Sequence, residues 1–491
     1  MVVSGGEHDG IINDVHHDCF KVKVSQTVVV AAALPMQDHW LPLSNLDLLL
    51  PAVDVGVLFC YSNITSGSPT STTTDSFGAK VWVLKKALAQ ALVTFYAFSG
   101  ELVKNAEGEP ELLCNNGGVD YAVAYADVEL SQLDLYNPDD SFEGKLVPGK
   151  KRGVLAVQVT ELKCGGIVVA CTFDHRIADA YSANMFLISW AHIAQSKHFS
   201  LRPSFRRSLL NPRRHASRYI DSSLDDMYVP VTALPPPPPS TASAVDQLIS
   251  RVYYVKAEQL EWLQAQADTG NRLKRPTKLE SFSAFLWKMV AKCAASEHPE
   301  KICKMGLVVD GRRRLGRTKA AAEEMDCYFG NVLSIPFGGK RVEELVDEPL
   351  SWVAGEVREF LGMAVTEEHF LGLIDWVEAH RPVPGLAKIY CQGSEDGPAF
   401  VVSSGQRFPV TEIDFGWGEP VFGSYHFPWG GDSGYVMPMP STAGNGDWVV
   451  YMHLQKKQIQ VIEEEAAHVF RPFKFDYVLN NNDKLIINNN N

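Results

Sequence analysis

Runs of apolar residues, and the spacing within them, divide this chain into strands, helices and connectors. Residues 21–30 are β-branched and partly alternating, which predicts a strand. Residues 85–96 carry helical spacing, with Leu84, Leu88, Leu92 and Phe95 on one face. The apolar runs 155–160 and 167–173 predict two buried strands joined by a turn at Cys164-Gly165-Gly166. Residues 180–194 predict a helix, apolar at Met185, Phe186, Ile188 and Trp190. Further on, helices are expected over 281–292, 349–360 and 370–379, and strands over 305–310 and 332–335. Residues 419–437 and 448–453 look β-like, so the class is mixed α/β.

The patterning breaks at Leu234-Pro235-Pro236-Pro237-Pro238-Pro239-Ser240. Such a run is extended and fits neither a helix nor a central strand. Residues 201–245 are therefore read as a linker between domains at 21–200 and 246–475. The alternative is one long surface loop in a single domain, but 491 residues exceed what one core ordinarily serves. Residues 1–20 read as a disordered extension without the apolar stretch of a signal peptide, and 476–491 as an Asn-rich tail.

A net charge of −13 disfavours nucleic acid and anionic membrane surfaces, and no apolar run approaches membrane-helix length. Nine scattered cysteines without a C-x-x-C pair fit a reducing, cytoplasmic setting. The glycosylation triplet Asn63-Ile64-Thr65 would then be idle. Arg312, Arg313, Arg314 and Arg317 form a basic cluster, either a solvated or structural patch or a local pocket for a phosphorylated ligand.

Among fourteen histidines, His175 is distinguished by position. It follows the apolar run 167–173 and precedes the helix expected from about Asp179. A side chain at that turn is held rigidly and can project into a cleft, and a neutral imidazole is a good base near neutral pH. Asp179, four residues on, could fix the turn or the tautomer, although His-x-x-x-Asp taken alone is more often structural. The second notable segment is Asp414-Phe415-Gly416-Trp417-Gly418, whose glycines imply a tight loop. Asp414 finds no evident partner inside its segment, so it caps a turn or pairs with a distant Arg.

Together these segments resemble the BAHD acyltransferases of plants. Thr94-Phe95-Tyr96-Ala97-Phe98-Ser99-Gly100-Glu101-Leu102, Asp310-Gly311-Arg312-Arg313-Arg314, Tyr328-Phe329-Gly330-Asn331 and Ser403-Ser404-Gly405-Gln406-Arg407-Phe408-Pro409 are similar to further family motifs. The resemblance implies two similar chloramphenicol-acetyltransferase-like domains, each a mixed sheet with flanking helices, with a channel between them. It implies an acyl-CoA co-substrate, no resident cofactor or metal, a monomer, and direct transfer to a hydroxyl or amine without an acyl-enzyme. His175 would be the general base, and Asp179 would hold the loop through an Arg. Asp414 would pair with Arg312, and Gly416, Trp417 and Gly418 would complete that structural loop. Thr277, Lys278, Arg314, Ser404 and Arg407 would contact coenzyme A. Ser403, or a backbone N–H at Gly405, would support the tetrahedral intermediate.

The chain departs from the pattern at three positions. Asp174 stands where many members have a second His, and Glu101 replaces an Arg. Gly405 stands where shikimate-using members carry a Trp, which implies a roomier site and argues against a shikimate acceptor. Residues 38–47 and 423–431 resemble coniferyl alcohol acyltransferases, which implies an aromatic acceptor such as a monolignol. A distant alternative is a serine hydrolase using Ser433 in Gly431-Asp432-Ser433-Gly434. No zinc-protease, nucleophile-elbow or phosphate-loop pattern is present, and His16-His17-x-Cys19 lies in the expected extension.

Overall fold

The computed structural model describes residues 20–63, 76–198, 202–214, 222–233, 247–270, 275–316, 318–391, 393, 396–428 and 431–477. The extension, the proline run, Ile64 and Thr65, Arg317 and the tail beyond 477 lie outside the described residues.

In chain order the main strands are β1 (Val22–Val30), β2 (Asp54–Tyr61), β3 (Val119–Ala126), β4 (Leu155–Leu162), β5 (Ile167–Asp174), β6 (Leu248–Val255) and β7 (Ile302–Leu307). They continue with β8 (Phe337–Arg341), β9 (Asp396–Val402), β10 (Phe422–His426), β11 (Gly434–Pro440), β12 (Trp448–Gln455) and β13 (Arg471–Pro472). A six-stranded sheet runs β1-β3-β4-β5-β2-β10, and a seven-stranded sheet runs β8-β7-β9-β11-β12-β6-β13. Both sheets mix parallel and antiparallel neighbours. The uninterrupted apolar run of β5 matches its place, since every residue of the strand is buried.

Helices α1 (Phe77–Thr94) and α2 (Ala180–Ala194) pack on each other beside the first sheet. Beside the second sheet lie α3 (Ala257–Ala267), α4 (Lys278–Ala294), α5 (Leu350–Ala364) and α7 (Lys456–Glu465), while the apolar face of α6 (Glu367–His380) joins the core cluster that includes the first sheet. The architecture is the mixed α/β, two-sheet arrangement with flanking helices that the resemblance implied.

Local differences have local causes. The first helix begins at Phe77, because Ser76 accepts the Ala79 N–H at 3.3 Å and caps it there. The strand expected over 305–310 breaks after Leu307 and resumes as a two-residue bridge, Val309–Asp310. The β-like region 419–437 divides between the sheets: β11 joins the second, whereas β10 crosses back and pairs with β2, Ser424 opposite Leu58 and His426 opposite Gly56. Sheet membership therefore crosses the chain division drawn at 201–245.

Strand alternation makes β10 a seam between the halves. On one side His426 stacks on Tyr451 of β12, centroids 4.9 Å apart, and its ring nitrogens meet Glu143 Oε1 at 2.8 Å and Ser424 Oγ at 2.9 Å. On the other side Tyr425 lines an interior cavity.

Gly423 allows this strand to seat, since a Cβ there would lie 2.5 Å from Val410 Cγ1 and 2.9 Å from Phe59 Cδ1. Gly423→Ala should lower stability by about 1–3 kcal/mol, the usual cost of overpacking. Urea unfolding checks this, and an unchanged midpoint would count against the crossing strand.

Candidate active site

His175 is held by its backbone from both sides. It follows the last residue of β5, and its N–H donates to Val53 O at 2.9 Å. Its carbonyl accepts from Asn331 Nδ2 at 2.9 Å. Asn331 is fixed in turn by Asp47, whose Oδ1 accepts the Asn331 side chain at 2.8 Å and backbone N–H at 2.7 Å. The other Asp47 oxygen accepts the Ser44 N–H at 2.8 Å and hydroxyl at 2.7 Å. The sequence segments 38–47 and 328–331 contain Asp47 and Asn331 but do not reveal this pairing, because the partners lie far apart in the chain.

The imidazole is half-buried and sits edge-on to Phe427 at 5.8 Å. Nδ1 is sealed, with no partner among the described residues, which leaves Nε2 toward the cavity. Burial pushes the His175 pKa below the ordinary histidine value, against weaker opposing effects from hydrogen bonds and the Asp179 charge. The ring is therefore neutral at physiological pH.

Asp179 does not hydrogen-bond the imidazole. It caps α2, accepting the Ser182 N–H at 2.9 Å, and its oxygens face Arg312 at 2.7 and 3.1 Å. The Val332 N–H adds a contact at 3.2 Å. Both charged side chains are 1% exposed. Arg312 also donates to Asp310 Oδ1, Ser182 Oγ, and the carbonyls of Tyr328 and Gly330, so its fork is saturated. Burial opposes its charge, but Asp179 and Asp310 outweigh that and hold its pKa above the ordinary value.

The pairing of Asp414 with Arg312 is corrected. Asp414 Oδ1 accepts the N–H of Gly416 at 2.7 Å and of Gly418 at 3.0 Å, closing a turn within its own segment. Gly416 and Gly418 take φ of +109° and +108°, a region that disfavours side chains. Trp417 packs against Tyr61 and Phe415, with Lys80 over its ring, and Gln195 at the end of α2 donates to Asp414 O. The loop thereby anchors the C-terminal half to β2, α1 and α2.

Around His175 lies a cavity of about 1070 Å³. Its wall draws Val55, Phe173, Met185, Ile188, Phe408, Tyr425, Phe427 and Tyr435 from both halves. Thr277, Lys278, Arg313, Arg314, Ser403, Ser404 and Arg407 also line it. Thr277 caps α4 in a box with Glu280, and Lys278 pairs with Glu261 at 3.4 Å. Arg313, Arg314 and Arg407 are exposed and have no ion-pair partner among the described residues, so a cationic rim exists on an acidic chain.

Gly405 departs from expectation. It does not line the cavity, and a Cβ there would meet Pro438 O at 2.9 Å and Met439 Cγ at 3.0 Å. The extra room expected at this position is taken by β11. Ser403 does line the cavity. Asp174 is matched by Arg176, whose Nε and Nη2 donate at 2.9 and 2.8 Å. Glu101 accepts from Asn115 at 2.7 Å on the surface.

The hydrolase alternative is also corrected. Ser433 is fully buried, lies off the cavity, and donates to Ile389 O at 2.9 Å. No described histidine activates it.

Residues 20–469 match the model of the transferase family. A hydroxycinnamoyltransferase of Narcissus pseudonarcissus is 26% identical over 459 residues, covering 89% of this chain and 97% of the relative. Anthranilate N-benzoyltransferase protein 1 of Dianthus caryophyllus is 28% identical over 414 residues, covering 82% and 89%. Vinorine synthase shares the fold with a TM-score of 0.66 at 20% identity, covering 93% of this chain and 100% of that one. TRI101 of F. graminearum, solved with coenzyme A and T-2 mycotoxin, has a TM-score of 0.67 at 13% identity, covering 87% and 97%.

Removing Arg312 would strand Asp179 as an unpaired buried charge. Arg312→Ala should destabilise the fold by about 3–5 kcal/mol in urea unfolding. A change under about 1 kcal/mol, the scale of an exposed pair, would contradict the buried-pair reading.

Proposed function

We propose that in this chain, which belongs to the transferase family of BAHD acyltransferases, His175 is the general base for acyl transfer inside the cavity. The protein is an acyl-CoA-dependent acyltransferase, with acyl-CoA as co-substrate and a hydroxyl or amine as acceptor. The observation that carries the proposal for His175 is its imidazole, backbone-pinned and neutral, presenting one ring nitrogen to a cavity built from both halves.

In this reading the acceptor O–H or N–H gives its proton to His175 Nε2 as the heteroatom attacks the thioester carbonyl carbon. A tetrahedral intermediate forms, with Ser403 Oγ as the donor to its oxyanion. The C–S bond then breaks, and the coenzyme A thiolate takes the proton from the imidazolium. Transfer is direct in this reading, and no acyl-enzyme is required, because the thiolate is already a good leaving group. Asp179 acts as a positioning residue through Arg312.

The cationic rim of Lys278, Arg314 and Arg407, with Thr277 and Ser404, is proposed to hold the coenzyme A phosphates and pantetheine. The aromatic wall supports an aromatic acceptor, with a monolignol such as coniferyl alcohol as the specific proposal. Transfer of hydroxycinnamoyl or benzoyl groups to another alcohol or amine is the second reading, favoured by the names of the relatives. A cytoplasmic monomer is proposed with it. None of the described cysteines is joined in a disulfide, which supports the reducing setting. Among the described residues no helix is long and apolar enough to cross a membrane.

His175→Ala should lower thiol release by at least about 10²-fold, the lower range for a general base. Retention of most activity would remove His175 from the mechanism. The pH dependence has a definite sign. The base works in its neutral form, and burial lowers its pKa. Activity should therefore persist below the ordinary histidine value of about 6.5 and fall only as pH drops through the lowered pKa. An acidic limb above that ordinary value in kcat/KM against pH would contradict the assignment.

A further inference from the structure

Ala180, Tyr181, Asn184, Met185 and Ile188 recur along the face of α2 that lines the cavity. Asn184 is the amide in that otherwise apolar and aromatic stripe, and it is 7% exposed. A buried amide is costly unless its hydrogen bonds are met.

Half of that requirement is met. The Tyr425 hydroxyl donates to Asn184 Oδ1. Burial pushes the Tyr425 phenol well above its ordinary pKa, so it remains a donor. The Tyr425 ring is clamped by Phe408 at 4.4 Å and Phe59 at 6.3 Å. In this arrangement the amide oxygen faces the phenol and Nδ2 points away from it. Nδ2 is left with its N–H groups, no described residue accepts from it, and it is not among the sealed atoms. Its open side is the cavity.

A group bound there must accept a hydrogen bond. The cations of the cavity, Lys278, Arg313, Arg314 and Arg407, lie on other elements than α2, and none of them belongs to this stripe. An apolar stripe with one neutral donor suits a neutral oxygen better than a carboxylate, whose desolvation would go uncompensated.

We propose that Asn184 Nδ2 is a fixed donor to a hydroxyl or methoxyl oxygen on the aromatic ring of a substrate, so that Asn184 sets the preference for ring-oxygenated over unsubstituted partners. This rests on the acyltransferase reading of the same cavity. The oxygen can arrive on the acyl group or on the acceptor, and the amide meets the same chemistry either way. A site built around such a donor discriminates against the analogue lacking the oxygen, because the amide is then left unpaired.

The test crosses cinnamoyl-CoA, 4-hydroxycinnamoyl-CoA and feruloyl-CoA with cinnamyl and coniferyl alcohols. It reads the ratio of kcat/KM for oxygenated over unsubstituted partners on each axis. Asn184→Leu should lower the ratio about tenfold on one axis, the worth of one net hydrogen bond, and that axis identifies whether donor or acceptor carries the oxygen. Asn184→Asp keeps the shape and the Tyr425 contact but replaces the donor by an acceptor. It should lower the same ratio, and it carries the test if the Leu variant fails to fold. Ratios within about twofold of the unaltered enzyme on both axes, in every variant that folds, overturn the inference. No thiol release by the unaltered enzyme with any pair would instead overturn the reading of this cavity as a site for hydroxycinnamoyl donors and cinnamyl-type acceptors.

Discussion

The buried pair of Asp179 and Arg312 is the constraint on which the rest of the site depends. One partner caps α2, and the other belongs to the short segment after β7, so the pair ties the two halves at the level of the cavity. Low local dielectric makes such a pair costly to leave half-made and unforgiving in geometry. Ser182 and the Tyr328 and Gly330 carbonyls take the remaining guanidinium donors, which also fixes the loop that carries Asn331. From Asn331 the constraint reaches the carbonyl of His175. The imidazole is thus positioned through its backbone, and its Nδ1 has no hydrogen-bond partner among the described residues.

Much of this was legible in the sequence where the physics is local. The apolar runs that became β4 and β5 are buried on both faces, and α2 has the bounds that its capping Asp179 allows. The turn carrying His175 follows from a strand ending one residue before it and a helix starting at Ala180. What was not legible depends on distant pairing. The glycines beside Asp414 left a capped turn and a distant Arg as its two readings; only the fold shows that the turn is the one made and that Asp179 occupies Arg312. Gly405 suggested open space, because a missing side chain does not reveal which backbone has moved in. The β-like stretch after residue 419 gave no sign that its two strands would go to different sheets.

Asn184 shows a further limit of periodicity. The apolar face of α2 was read from Met185, Phe186, Ile188 and Trp190, which treats the helix as half-buried. In the fold α2 packs on α1 and also borders the cavity, so a polar residue between apolar ones can be buried and still line an internal space. The same holds for Tyr425, which alternation on β10 turns into the cavity while its neighbours Ser424 and His426 turn to the seam. One short strand thus lines the cavity with one face and packs against the second sheet with the other.

The charges divide along the same lines. Lys278, Arg313, Arg314 and Arg407 line the cavity of an acidic protein together with Asp310 and Glu412, while much of the remaining wall is aromatic and aliphatic. That division favours a long ligand with an anionic end at the rim and a reactive, less polar end beside the imidazole. A crystal structure with coenzyme A bound tests this most directly. The account predicts phosphates against the Lys278 and Arg314 rim and the sulfur beside His175 Nε2. Coenzyme A bound elsewhere, or with its sulfur directed away from His175, would contradict it.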